Sequence, residues 1–225
     1  MKTLKLLKDL YFNRFIKPRL KEVKSQLRKA DLYYHIPRQF HFLKALQAVK
    51  GIDGAIAEAG VRNGDSLLFL SGASRSLGKK RKALAFDSFE GFPDNYYQQL
   101  GRAKPKPELS QSEAIDQIAN IFKNANFEET DYELIPGYFK DSLKTYNPGP
   151  IALLHIDVDI PESYTEALQY LYPHVVQGGI VLFDEYFPEF TKYKEAKSSI
   201  DNYLVNQSYE RLDTGFDQKL AIRKL

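Results

Sequence analysis

The stretch GAIAEAGVRNGDSLLFLSGASRSLGKKRKALAFD, residues 54–87, decides the fold. It opens on a short apolar run, residues 54–60, that ends in an acid and a glycine. Residues 65–77 then carry a helical pattern, and residues 82–87 (KALAFD) read as a second buried strand ending in Asp87. Strand, glycine-containing turn, helix and strand make a crossover unit, which implies a parallel sheet with helices on both faces.

Working outward, the alternation continues. Residues 112–123 set Ile115, Ile118, Ala119 and Phe122 on one side of a helix. Residues 132–136 read as a third strand, 151–157 (IALLHID) as a fourth and 179–184 (GIVLFD) as a fifth, with a helix at 162–172 between the last two. A helix at 193–205 precedes a hairpin of residues 209–212 and 219–223 around 214–217. That hairpin adds an antiparallel closing strand to a mostly parallel, seven-stranded sheet. Residues 93–112 carry Pro, Lys, Gln and Ser without clear period and read as a loop. About twenty structureless residues inside a compact domain are uncommon and often form lids.

Upstream, Phe40, Leu43, Leu46 and Val49 have helical spacing, closed by Gly51. Leu4, Leu7, Tyr11 and Phe15, with Lys between them, form an amphipathic pattern interrupted by Pro18. The expected organisation is an N-terminal helical extension over residues 1–50, with a basic arm in 1–30, followed by one α/β domain over 51–225. Residues 1–30 hold ten Lys/Arg and two Asp/Glu, a charge of +8, whereas the chain as a whole has only +3. The remainder is therefore mildly acidic, at −5. The arm suits packing on its own domain or on a second subunit, in a homo-oligomer, better than nucleic acid or a membrane surface.

Composition excludes several classes. Apolar residues at 43% and charged residues at 27% fit a globular chain. The absence of cysteine removes disulfides, thiolate metal sites and cysteine nucleophiles. No apolar run approaches the roughly 18–20 residues of a transmembrane span, and the Lys-punctuated start has no signal-peptide apolar run. The expectation is a cytoplasmic protein.

In an open α/β sheet, ligands gather beyond the carboxyl ends of the strands, where the strand order reverses. Four of the expected strands end in polar or charged residues. The first gives Glu58, Gly60, Gly64 and Ser66, a turn whose glycines let backbone approach a ligand. The second ends in Asp87, followed by Ser88 and Phe89. An acid there suits ribose hydroxyls, so a nucleoside-containing cofactor is expected. The G-x-G-x-x-G of a dinucleotide site is absent, since Arg62 and Asn63 fill the space between the glycines. The fourth strand gives His155, Asp157 and Asp159 at a spacing of two, hence on one face, and the fifth gives Asp184 and Glu185. Adjacent strand ends lie about 5 Å apart, so Asp157 and Asp184 can converge. Converging carboxylates repel unless a cation intervenes, and oxygen ligands suit Mg²⁺, Mn²⁺ or Ca²⁺ rather than zinc. The competing reading is that these acids cap helices. His155, two residues inside its strand, reads as a buried structural histidine.

Five ordered motifs carry a family resemblance: AEAGVRNGDS (57–66), DSFEGFPD (87–94), GYFKDSL (137–143), LLHIDVDIPESYTEAL (153–168) and YPHVVQGGIVLFDEY (172–186). Together they resemble the macrocin O-methyltransferase (TylF/MycF-type) family of S-adenosylmethionine-dependent sugar O-methyltransferases. The resemblance implies a class I methyltransferase, Rossmann-like fold and transfer of a methyl group to a hydroxyl of a sugar or glycosylated natural product. It assigns Glu58, Gly60, Val61, Gly64 and Ser66 to the loop against the methionine part of S-adenosyl-L-methionine. Asp87 falls on the ribose, with Ser88 and Phe89 lining the pocket. Tyr138, Phe139 and Asp141 fall near the adenine. The metal carboxylates become Asp157, Asp184 and Glu185; for the transfer itself, Asp157 or a water on the metal is the expected proton acceptor. Two departures stand out: Glu185 replaces the family's usual Asp, and Ala59 its Cys. Two readings from other classes compete. Asp157-Val158-Asp159 also reads as the D-x-D of metal-dependent glycosyltransferases, which leaves residues 58–66 and 87–93 unexplained. The basic arm would also suit a non-catalytic binding protein.

Overall fold

The structure, a computed structural model, describes residues 29–225, with side chains from residue 36 onward. The expected amphipathic pattern at Leu4–Phe15 and most of the basic arm lie outside the described residues. Helix α1 (Lys29–Ala48) leads into a compact unit that runs from His41 to Leu225. Among the described residues no helix is long and apolar enough to cross a membrane.

The sheet contains β1 (Ala55–Ala59), β2 (Ala83–Asp87), β3 (Tyr132–Pro136), β4 (Ile151–Ile156), β5 (Val175–Phe183), β6 (Tyr209–Arg211) and β7 (Leu220–Lys224). Its order is β3-β2-β1-β4-β5-β7-β6. All neighbours from β3 to β5 are parallel, while β7 runs antiparallel to both β5 and β6. The seven-stranded, mostly parallel sheet with an antiparallel closing strand is thus present. The order reverses between β1 and β4, which opens a crevice beyond their carboxyl ends.

Period-two alternation sorts the strand side chains into two cores. One face buries Ile56, Ala83, Ala85, Leu153, Ile180, Leu182 and Ala221. It is covered by the part of α1 from His41 onward, by α2 (Asp65–Ser76) and by α4 (Gln111–Asn124), which contribute Phe42, Leu46, Leu67, Leu70, Ile118 and Phe122. The other face buries Ala57, Phe86, Leu154, Ile156, Val181, Phe183 and Ile222 under α6 (Pro161–Leu171) and α7 (Ala196–Leu204). Each fully buried Leu, Ile or Phe contributes about 1.5–3 kcal/mol, so these two layers hold the crevice rigid. From His41 onward, Phe42, Ala45 and Leu46 of α1 and Val49 just beyond it turn inward; of the expected apolar face Leu43 is only partly buried and Phe40 is exposed.

Some elements differ from expectation by more than a residue. Residues 93–112 are not wholly irregular, because helix α3 (Asp94–Gln99) begins after Pro93 and buries no residue. A helix without a buried face has no apolar period to betray it. Strand β5 starts at Val175, four residues before the expected 179, since the Gly178-Gly179 pair interrupts its apolar run. The last helix starts at Ala196 rather than 193.

Candidate active site

The turn after β1 exists because two glycines allow it. Gly60 has φ +86° and lies so close to β4 that a Cβ there would fall 1.8 Å from the Asp157 carbonyl oxygen. Gly64, at φ +84°, caps α2 in the left-handed region. The Gly60 amide donates to the Phe86 carbonyl at 2.9 Å, which ties the turn to β2. The amide of Arg62 then donates to Asp87 Oδ2 at 2.9 Å, and that of Phe89 to Asp87 Oδ1 at 2.8 Å. Two backbone donors therefore fix the Asp87 rotamer at the mouth of the crevice. The Gly137 amide donates to the Asp87 carbonyl at 2.9 Å and brings the third motif alongside. Residues 60–64, Asp87 and Gly137 are thus one knitted surface.

The other expected cofactor residues sit around it. Ser66 is half-buried in the first turn of α2. Val61 and Phe89 belong to the core under α2, and Phe139 to the opposite core. The Ser88 hydroxyl donates to the Gly91 carbonyl at 2.8 Å and accepts the Glu90 amide at 3.1 Å, so it braces its own turn. Helix α5 (Phe139–Ser142) follows Tyr138, whose hydroxyl accepts a 2.8 Å hydrogen bond from Lys104 in the segment after α3. Asp141 is exposed on α5.

Beyond β4 and β5 the acids converge in two groups that share Asp157. His155, Asp157 and Asp184 form one, and Asp157, Asp159 and Glu185 the other, each with ligand atoms within 4.8 Å of one another. Strand alternation explains the split. His155, Asp157 and Asp184 lie on the α1 side, where the Phe42 ring meets His155 edge-on at 5.0 Å. Glu185 points to the α6 side, where its Oε2 lies 2.5 Å from the Tyr164 hydroxyl. That hydroxyl also accepts the Glu185 amide at 3.2 Å. Asp159 adopts φ +64°, a left-handed conformation that Asp tolerates better than most residues.

Charge governs this cluster. Like unit charges 4 Å apart repel by about 4 kcal/mol at an effective dielectric of 20. Burial, with the neighbouring Asp184 and Asp157, pushes the Glu185 carboxyl up to about 10. Burial also raises Asp159, opposed by Lys192 and reinforced by Asp184. The Tyr164 hydroxyl is raised well above its ordinary range by burial and by Glu185. Such a cluster holds either a proton or a cation, and its oxygen-rich donor set fits a hard divalent ion. Asp157 and either Asp184 or Glu185 are close enough to share one ion. Glu185 remains within the cluster despite its extra methylene.

Sequence reasoning placed His155 in the core, and it is 1% exposed. It missed the partners. His155 Nδ1 lies 2.7 Å from Glu58 Oε1, and its Nε2 lies 4.0 Å from Asp184 Oδ1. Glu58, expected against the cofactor, thus braces the imidazole beneath the carboxylates. Parallel pairing of Glu58 with His155 across β1 and β4 is the signal that would have shown it. Lys219 was also missed; its Nζ lies 2.5 Å from Asp184 Oδ2. His41, which precedes the sheet in sequence, is buried with its Nδ1 2.5 Å from the Thr214 hydroxyl.

An aromatic wall borders Asp159. Phe92 packs edge-on against Tyr96 at 4.8 Å and against Tyr193 at 6.3 Å. The Tyr193 hydroxyl is hydrogen-bonded to Asp159 and is raised by its own burial and by that carboxylate.

Comparison with known proteins bears on the fold and the family. A Streptomyces olivaceus relative, 8-demethyl-8-(2,3-dimethoxy-alpha-L-rhamnosyl)-tetracenomycin-C 4'-O-methyltransferase, is 30% identical over 141 residues, 60% of this chain and 54% of its own length. Demethyldecarbamoylnovobiocin O-methyltransferase of Streptomyces niveus is 28% identical over 157 residues, 68% of this chain and 58% of its own length. The chain therefore spans little more than half the length of the curated relatives it matches. Among solved structures, the O-methyltransferase NovP superposes with a TM-score of 0.68 at 23% identity, covering 84% of this chain and 80% of that one. The calicheamicin methyltransferase CalS11 does so with 0.66 at 22%, covering 99% and 91%. These two establish the class I methyltransferase fold. The profile described as Macrocin-O-methyltransferase (TylF) matches residues 38–211, and the chain belongs to that family.

Proposed function

We propose that the chain transfers a methyl group from S-adenosyl-L-methionine to a hydroxyl of a sugar or glycosylated natural product, assisted by a divalent cation. The observation that carries this reading is the pairing of two half-sites at one switch point. Beyond β1 and β2 lies the knitted surface of residues 60–64, Asp87 and Gly137. Beyond β4 and β5 lie the carboxylates around Asp157.

Asp87, held by two backbone amides, accepts hydrogen bonds from the ribose, while Gly60, Val61, Gly64 and Ser66 form the floor for the methionine part and Glu58 supports that floor from below through His155. Ser88, Phe89, Tyr138, Phe139 and Asp141 frame the nucleoside side. The cofactor supplies the methyl on a sulfonium leaving group, and the bound ion supplies Lewis-acid polarisation of the acceptor hydroxyl. The protein's own work is alignment and proton handling. Asp157, shared by both acid groups, takes the acceptor proton; Asp184 and Glu185 complete the ion's seat. His155, braced by Glu58, sets the floor beneath Asp157 and Asp184. Phe92, Tyr96 and Tyr193 offer ring faces beside Asp159 for the acceptor, and residues 93–110 serve as its flap. The D-x-D glycosyltransferase reading gives Asp184, Glu185 and the residue 60–64 turn no role.

The test is methyl transfer from labelled S-adenosylmethionine to a panel of nucleotide-linked deoxysugars and glycosylated aglycones, with and without EDTA. Turnover lost in EDTA and restored by Mg²⁺ or Mn²⁺ is expected. Turnover unchanged by EDTA removes the ion from the mechanism.

A further inference from the structure

Lys219 stands one residue before β7, at a position set by strand register. Antiparallel pairing of Leu182 with Ala221 and Phe183 with Leu220 continues, one step further, to Asp184 opposite Lys219. The ammonium of Lys219 donates to Asp184 Oδ2 at 2.5 Å and to the Asp184 carbonyl at 2.7 Å, and both residues are buried. The same carboxylate turns its other oxygen, Oδ1, toward His155 and the group it forms with Asp157. Asp184 therefore faces two ways: one oxygen meets a fixed monocation, and the other meets the cluster.

We propose that Lys219 is a resident counter-cation of the carboxylate cluster, acting through Asp184 to limit the site's affinity for a divalent ion. This rests on the reading of the cluster as an ion site. The argument compares two states. Without the ion, the ammonium offsets negative charge on buried Asp184, so it stabilises the empty cluster. With the ion present, the ammonium is a like charge on the far side of the same carboxylate, and its favourable contribution shrinks. It also occupies Oδ2, which restricts Asp184 to one ligating oxygen. Both effects favour the empty state, so removing the charge tightens ion binding. The backbone of Asp184 keeps its place without Lys219, because its amide donates to the Ile156 carbonyl at 3.0 Å.

Mn²⁺ titration of the full chain, followed by the electron-spin resonance of the free ion, tests this in Lys219→Met, Lys219→Gln and Lys219→Arg. Met removes the charge and keeps the four-atom length of the stem; Gln removes the charge on a shorter stem and keeps a donor. Tightening of Mn²⁺ binding by about tenfold or more is expected in both, with wild-type affinity in Lys219→Arg. Thermal melts in chelator should fall for Met and Gln and be recovered by Mn²⁺, a response that loss of packing alone does not give. Equal or weaker Mn²⁺ binding in a folded Lys219→Met or Lys219→Gln overturns the proposal, and marks Lys219 as a mere support for Asp184. If wild type and the neutral variants all fail to bind Mn²⁺, the ion-site reading falls and the proposal with it.

Discussion

Glu185 shows how one methylene and one buried pocket alter a site. Its carboxyl sits against the Tyr164 hydroxyl and near two other acids, and burial with those acids lifts it to about 10 from an ordinary 4.5. Across that window the folded chain keeps a proton that the unfolded chain has released. Stability linked to Glu185 is thus fully present below pH 4.5 and lost as pH rises toward about 10. In chelator, denaturant titrations should show wild-type stability declining over this range, and Glu185→Gln should flatten the decline. A parallel decline in the variant would mean that other groups carry it. At this scale the sequence was partly legible. Asp87, Asp157 and Asp184 announce themselves as acids at strand ends. Glu58 bracing His155 and Lys219 pairing with Asp184 depend on register between strands distant in sequence, which a single chain does not display.

Among elements, legibility followed burial. Strand β4 is buried along its whole length, and IALLHI reads as a strand at once. Helix α4 was visible through Ile118 and Phe122, but its start was misplaced by one residue. The Ser110 hydroxyl accepts the Glu113 amide while the Glu113 carboxylate accepts the Ser110 amide, a capping box at residues 110 and 113. Ser110→Ala should destabilise the fold by about 1 kcal/mol, measured by urea denaturation, with S-adenosylhomocysteine affinity unchanged. Helix α3 went unseen for the opposite reason. Its contacts are among rings at the surface, Phe92 with Tyr96 and Tyr96 with Tyr97, and ring stacking leaves no period in the sequence.

For the whole molecule, the strand order β3-β2-β1-β4-β5-β7-β6 assigns the two proposed half-sites to opposite sides of the switch. They meet where Gly60 abuts the Asp157 carbonyl, where the Asp157 amide donates to the Ala59 carbonyl and where Glu58 holds His155, while Asp87 and Asp184 make none of these contacts. Distant sites behave additively, so the halves should separate by mutation. Asp87→Ala should abolish S-adenosylhomocysteine binding, measured calorimetrically. Asp184→Ala should leave that binding within about threefold of wild type while removing turnover and weakening Mn²⁺ binding. Loss of S-adenosylhomocysteine binding in both variants would show one undivided site. This architecture was readable from alternation and from the final hairpin, because two buried faces impose period two on every central strand. Helix α3 lies outside that arrangement. It lends no side chain to either core, yet it carries Tyr96 next to Tyr193 and Asp159. Its sequence is accordingly little constrained by core packing, and residues 95–103 can be exchanged while the Lys104–Tyr138 hydrogen bond and the Ser110 cap stay in place. On the proposed function, acceptor range would then be open to change in this segment with little effect on thermal stability.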